Sequence, residues 1–117
     1  KLVLGNLNIA RDWGYAPEYV VMMWKMLQED LPKDFIVATG ETVSLECFVD
    51  KTFSYFDLNW EEHVIFDESL KRKSEIVNSS ANPGKASRIL GWASSTPINE
   101  LIEKMILGGV SCSSSSD

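Results

Sequence analysis

Arg11-Asp12-Trp13-Gly14, continuing through Tyr15-Ala16-Pro17-Glu18-Tyr19-Val20 and, after one amphipathic helix, Phe35-Ile36-Val37-Ala38-Thr39-Gly40-Glu41, is the stretch on which the reading of this chain turns. An arginine closing an apolar segment, then tryptophan and glycine, then a helix, can aim a fixed guanidinium at a phosphate from a rigid element. Taken alone, the tetrapeptide more often describes a solvated arginine beside a half-buried aromatic. The long run around it carries the functional reading.

Outward from that run, strands and helices alternate. Residues 2–7 are apolar and short enough for a strand. Residues 17–30 read as a helix with Ala16, Tyr19, Val20, Met23, Trp24 and Leu27 on one face, Pro17 in its first turn and Leu31-Pro32 ending it. Residues 35–39 have the length and Ile-Val content of a buried strand stopped by Gly40. Ser44 suits the N-cap of a second helix, in which Leu45, Phe48, Val49, Thr52, Phe53 and Phe56 recur at helical spacing.

The segment 60–68, with His63-Val64-Ile65-Phe66-Asp67, reads as a strand leading into Lys71-Arg72-Lys73. Two short helices follow. The first has Asn82 as cap, Pro83 at its start, Ile89 and Leu90 buried and Gly91 as its stop. The second has Thr96 as cap, then Pro97, an apolar face of Ile98, Leu101, Ile102, Met105 and Ile106, and an end at Gly108-Gly109. The serine-rich residues 110–117 offer too little apolar surface to offset the entropy of ordering, and a disordered tail is expected. The class is therefore α/β, with mixed short strands and about four helices.

Composition narrows the partners. A chain of 117 residues builds at most one modest domain, and a formal net charge of −6 argues against nucleic acid or an anionic membrane, which need an extended basic face. No apolar run approaches the roughly 20 residues that span a bilayer, and no secretory leader is visible. A cytoplasmic location is expected. Cys47 and Cys112 lack metal-ligand spacing and read as reduced thiols; no metal site is expected. The sequon Asn78-Ser79-Ser80 reads as an accident, His63 receives no role, and Trp13 and Trp92 read as packing residues.

Leu4-Gly5-Asn6-Leu7-Asn8-Ile9-Ala10-Arg11-Asp12-Trp13-Gly14-Tyr15-Ala16-Pro17-Glu18-Tyr19-Val20 resembles the GDP-mannose 4,6-dehydratase family of extended short-chain dehydrogenases/reductases, whose pattern is L-G-N-L-D-x-x-R-D-W-G-H-A-x-D-Y-V, with A-T-G-E after the next helix. Asn8, Tyr15 and Glu18 replace an aspartate, a histidine and an aspartate. Downstream, Arg72-Lys73-Ser74-Glu75 corresponds to R-P-x-E, with Lys73 in place of proline. Asn82-Pro83-Gly84-Lys85-Ala86 and Leu90-Gly91-Trp92 correspond to N-P-x-K-A and L-G-W.

The resemblance implies the C-terminal, nucleotide-sugar-binding portion of a Rossmann-type dehydratase over residues 1–109, an incomplete domain whose N-terminal Rossmann part is absent. It implies Arg11 and Arg72 on the diphosphate of GDP-mannose and Glu75 on the ribose hydroxyls. These roles suit the residue types, since arginine meets two phosphate oxygens at once and a carboxylate accepts from a vicinal diol. A Gly-rich strand-to-helix turn and a Tyr-x-x-x-Lys pair are both lacking, because Tyr15, Tyr19 and Tyr55 are followed four residues later by Tyr19, Met23 and Asn59. The chain therefore offers no catalytic or cofactor-binding residue of its own and alone is expected to be inactive.

Lys1 opens directly on an apolar run, which suggests a start inside a longer protein. By resemblance the complete enzyme binds NADP, forms homodimers or homotetramers, and converts GDP-mannose to GDP-4-keto-6-deoxy-mannose on the route to GDP-fucose. Two alternatives stand beside this reading. One is a non-catalytic truncated remnant acting as an interaction module, and the other a dehydratase or epimerase for a different nucleotide-sugar.

Overall fold

In the computed structural model, which describes residues 1–113, the chain runs β1 (Leu2–Leu4), β2 (Ala10–Asp12), α1 (Ala16–Met26), β3 (Thr42–Ser44), α2 (Leu45–Ser54), α3 (Trp60–His63), β4 (Val64–Phe66), a 3-10 turn (Glu68–Leu70), α4 (Gly84–Leu90) and α5 (Ile98–Ser113). This is a mixed α/β fold of short strands and five α-helices among the described residues. The strands form two small ladders. Leu2, Val3 and Leu4 of β1 pair in parallel with Val64, Ile65 and Phe66 of β4, and Ala10, Arg11 and Asp12 of β2 pair antiparallel with Ser44, Val43 and Thr42 of β3.

Two apolar clusters hold these elements together. Met22 of α1 is fully buried against Ala86 and Leu90 of α4 and against Trp92, with Tyr19, Met26, Phe35 and Val37 around them. Leu7, Val49 of α2 and Val64 of β4 form the second, flanked by Leu4, Leu45, Phe53 and Trp60. His63 stacks on Phe53 with ring centroids 5.8 Å apart, a packing contact. Cys47 is a half-buried free thiol.

The expected cap forms at α2, whereas at α4 Pro83 takes the N-cap position with no side-chain cap and Asn82 sits one residue before it. The Ser44 hydroxyl accepts from the Cys47 N–H at 3.1 Å, and the Asn82 carboxamide accepts from the Gly84 N–H at 2.9 Å. Gly91, in the left-handed region at φ 59°, closes α4 by donating its N–H to the Ser87 carbonyl.

Several elements depart from expectation. The stripe of α1 that points inward contains Met22, with Tyr19 and Met26 beside it, while Val20, Met23, Trp24 and Leu27 are exposed, Leu27 by 81%. The run Val-Val-Met-Met-Trp is apolar on nearly every side, so periodicity alone does not select the buried one. Residues 35–39 form no strand: no second strand of the described residues lies alongside, and the Thr39 and Gly40 N–H groups bond instead to Asp12. Residues 60–63 are helical, not extended, because the Asn59 side chain caps them by accepting from the Glu61 N–H.

On α4 it is Ala86 that joins Leu90 inside, and Ile89 is exposed. Thr96 does not cap α5; its hydroxyl donates to Glu18. The fifth helix also continues through Gly108-Gly109 to Ser113, so residues 110–113 of the expected disordered tail are helical, while residues 114–117 lie outside the described residues. Glycine in a helix interior costs about 1 kcal/mol relative to alanine, too little to end a helix anchored through buried Leu101 and Ile102.

Gly14 shows how tightly the opening motif is packed. A methyl group there would overlap the Tyr19 hydroxyl and ring, and that ring is already held edge-on to Trp92 at 5.9 Å. Gly14→Ala is expected to lower the stability of the full-length protein by about 1–3 kcal/mol, the usual effect of overpacking, with Tyr19→Phe recovering part of the loss. Thermal unfolding of the single and double variants measures both, and an unshifted transition in Gly14→Ala would contradict the contact.

Candidate functional site

The segment carrying Arg11 runs beside the segment carrying Arg72 and Glu75. The Asp67 N–H donates to the Leu4 carbonyl at 2.9 Å, and Gly5 lies against the Leu70 backbone. The Asn6 amide donates to Glu75 Oε2 at 3.1 Å, the Ala10 N–H donates to the Val77 carbonyl at 2.8 Å, and the Ser79 N–H donates to the Ala10 carbonyl at 3.0 Å. Ala10 is thus bridged to Asn78 on one side and paired with Ser44 on the other, which fixes β2 from both edges.

Arg11 is half-buried, and its Nη1 turns back to the Ala10 carbonyl at 2.8 Å. Arg72 is exposed and makes no hydrogen bond or ion pair with the described residues, while neighbouring Lys71 is paired with Glu68 at 2.7 Å. Glu75 is half-buried behind the Lys73-Ser74 turn and held by Asn6. The backbone therefore brings the three segments together, but no hydrogen bond or ion pair joins Arg11, Arg72 and Glu75 to one another among the described residues.

The rest of the Arg-Asp-Trp-Gly motif serves to hold Arg11. Asp12 accepts from the Thr39 N–H and hydroxyl, both at 2.9 Å, and from the Gly40 N–H at 2.8 Å. Trp13 donates its indole N–H to the Val43 carbonyl at 3.0 Å, opposite Arg11 in the ladder, and packs on Phe48 with centroids 5.0 Å apart. Burial, reinforced by the negative charge and hydrogen bonding of Asp12, pushes the Tyr19 hydroxyl above its usual range.

A cleft of about 280 Å³ opens at this corner, lined among others by Gly5, Asn6, Asn8, Trp60 and Lys71. Glu46, Glu61 and Glu68 also line it, so its interior repels a diphosphate. Neither this cleft nor a larger opening of about 780 Å³ between α2 and α5 is lined by Arg11, Arg72 or Glu75, and Asp50, Glu100 and Glu103 make the larger one acidic too. Arg72, exposed and without a hydrogen bond or ion pair to the described residues, and Arg11, held to the Ala10 carbonyl, carry guanidinium groups suited to phosphate oxygens.

One hub escaped the sequence reading. Desolvation pushes the Glu18 carboxyl up, but donors outweigh it: Ser94 Oγ at 2.7 Å, Ser95 Oγ at 2.6 Å, Thr96 Oγ1 at 2.8 Å and the Ser95 N–H together bring it down to about 2. The Glu18 carbonyl also accepts from the Trp92 indole at 3.0 Å. The signal was present in Ser94-Ser95-Thr96 beside an unassigned carboxylate, but only the fold reveals that they meet.

Because folding lowers this pKa, Glu18 stabilises the fold above the unfolded carboxylate value, and that contribution fades as pH falls from about 4.5 towards about 2. Discounted for partial exposure, it amounts to about 1–2 kcal/mol. Denaturant unfolding at neutral and acidic pH is expected to show Glu18→Gln closing the gap to wild type as the pH drops; a gap that stays constant would contradict this.

The residues present do not fit a nicotinamide cofactor. Among the described residues no strand passes through a glycine-rich turn into a helix: Gly5 leads from β1 into a loop, and β3 enters α2 directly at Leu45. No group of His, Cys, Asp and Glu among them could hold a metal ion, and no helix is long and apolar enough to cross a membrane.

The fold defines the class, the α/β architecture of Rossmann-type epimerases and dehydratases. It is similar to that of a UDP-glucose 4-epimerase from Stenotrophomonas maltophila with bound NAD and formylated UDP-arabinopyranose, with a TM-score of 0.80 at 13% identity over 99% of this chain and 37% of that one. It is also similar to that of RMD from Pseudomonas aeruginosa complexed with NADPH, with a TM-score of 0.74 at 14% identity over 86% of this chain and 33% of that one.

Sequence then narrows the class to a family. The family model for GDP-mannose 4,6 dehydratase matches residues 1–105, and the chain belongs to that family. GDP-mannose 4,6 dehydratase 2 of Arabidopsis thaliana is 42% identical over 106 residues, which cover 91% of this chain and 28% of the relative. The chain thus spans less than a third of that relative's length.

Proposed function

We propose that residues 1–109 form the nucleotide-sugar-binding portion of a GDP-mannose 4,6-dehydratase. Arg11 and Arg72 engage the diphosphate and Glu75 accepts from the ribose diol. The observation that carries this reading is the fixing of β2: paired along one edge, bridged along the other and latched through Asp12 and Trp13, it holds Arg11 beside the run that bears Arg72 and Glu75. Such preset contacts to the remote part of a substrate orient the sugar, so that binding energy is converted into positioning at the reacting carbons. The overall conversion, GDP-mannose to GDP-4-keto-6-deoxy-mannose with loss of water, is carried out by groups outside these residues. NADP is likewise held elsewhere, and no step of the reaction is assigned to this chain.

The exposed apolar side of α1 supports a larger protein. Trp24 is 61% exposed on a helix whose other side is already buried, and Leu27 at its C-terminal end is 81% exposed, which suits packing against further structure. The same face favours the second reading, a non-catalytic interaction module. A full-length reading frame carrying a Gly-rich turn and Tyr-x-x-x-Lys supports the enzyme, and a stop codon in that position supports the module.

Nucleotide choice is tested by titrating the full-length protein with GDP, UDP and dTDP. Tightest binding of GDP is expected, and a preference for a pyrimidine nucleotide would replace the substrate with another nucleotide-sugar.

A further inference from the structure

We infer that Asn6 is a positioning residue that sets the ribose-binding orientation of Glu75; the inference rests on the ribose role proposed for that carboxylate. Asn6 has both ends of its carboxamide committed. Its Oδ1 accepts from the Asn8 N–H at 2.9 Å, and because an N–H requires an acceptor, that bond fixes which end of the amide is the oxygen. Nδ2 is thereby turned towards Glu75, donating to Oε2 at 3.1 Å. Glu75 makes no other hydrogen bond or ion pair with the described residues, so Asn6 alone restrains the carboxylate and leaves Oε1 free to accept from a diol.

The backbone around Asn6 is equally restrained. On one side Gly5 lies so near the Leu70 backbone that a Cβ would stand 3.2 Å from the Leu70 carbonyl oxygen, and on the other Leu7 is buried in the second core cluster. The loop that carries Asn6 is therefore held against the segment carrying Arg72 and Glu75. A carboxylate fixed by one neutral donor presents one oxygen in a set direction, which suits recognition of a ribose and discriminates against sugars lacking its hydroxyls.

The test uses the full-length protein and two probes, GDP and 2′,3′-dideoxy-GDP. In the wild type GDP is expected to bind about 10-fold or more tighter, the effect of hydrogen bonds to a charged acceptor. Asn6→Asp keeps the oxygen that accepts from Asn8 but replaces the donor facing Glu75 with an acceptor, and Asn6→Ala removes both. In each variant the preference for GDP is expected to shrink to about threefold or less through loss of GDP affinity, with dideoxy-GDP affinity close to wild type. Unaltered preference in Asn6→Asp, or equal weakening of both probes, overturns the inference. Glu75→Gln separates it from its foundation. If that variant retains the full preference, the ribose assignment of Glu75 fails and the role of Asn6 with it; if it loses the preference while Asn6→Asp keeps it, only the role of Asn6 fails.

Discussion

Arg11→Ala in the full-length protein is expected to weaken GDP-mannose binding by about 10- to 100-fold, corresponding to about 1.5–3 kcal/mol for charge-assisted bonds to phosphate oxygens, while NADP affinity stays near wild type. The specificity of the effect follows from what Arg11 does in the fold. Its guanidinium bonds to the adjacent Ala10 carbonyl, and the pairing of β2 runs through backbone groups that alanine retains. Little stability is therefore lost with the guanidinium. Arg11→Lys is expected to recover only part of the affinity, because an ammonium is a point charge and cannot meet two oxygens in one plane. Calorimetric titration with each ligand checks the pattern; equal loss of both affinities would indicate disturbed folding instead of a missing phosphate contact.

Asp12→Ala is expected to have the larger effect on stability. Three donors converge on that carboxylate from Thr39 and Gly40, and removing it leaves the N–H groups of a segment that pairs with no strand among the described residues without their acceptor. Hydrogen bonds to a charged group contribute about 1.5–3 kcal/mol each, and their partial replacement by water leaves a net loss of about 2–4 kcal/mol. Asp12→Asn retains one acceptor oxygen and is expected to lose less. Since Asp12 adjoins Arg11, substrate affinity should fall with stability in Asp12→Ala, in contrast to Arg11→Ala, where affinity falls alone. Chemical denaturation checks this order, and a fully stable Asp12→Ala would show that residues 39–40 are anchored by something else.

Local signals in the sequence proved readable at several single residues. Ser44 caps α2, Asn82 precedes α4, and Gly91 ends it with positive φ. Trp13 and Trp92 are packing residues, each with its indole N–H bonded to a backbone carbonyl. Choices that depend on distant partners were not readable. The inward side of α1 is selected by Ala86, Leu90 and Trp92, more than 60 residues away in the chain, and residues 35–39 lack, among the described residues, the neighbouring strand that their composition calls for. At the site, Arg11, Arg72 and Glu75 could be singled out by residue type and resemblance. The roles of Asp12 as a latch, Asn6 as the partner of Glu75 and Glu18 as a hub for Ser94, Ser95 and Thr96 follow only from the path of the folded chain.

A crystal structure of the full-length protein with GDP-mannose bound tests the central claim most directly. Guanidinium nitrogens of Arg11 and Arg72 are expected within about 2.7–3.2 Å of diphosphate oxygens, with a Glu75 carboxylate oxygen at similar distance from the ribose hydroxyls. A diphosphate bound away from β2, with both arginines in solvent, would contradict it.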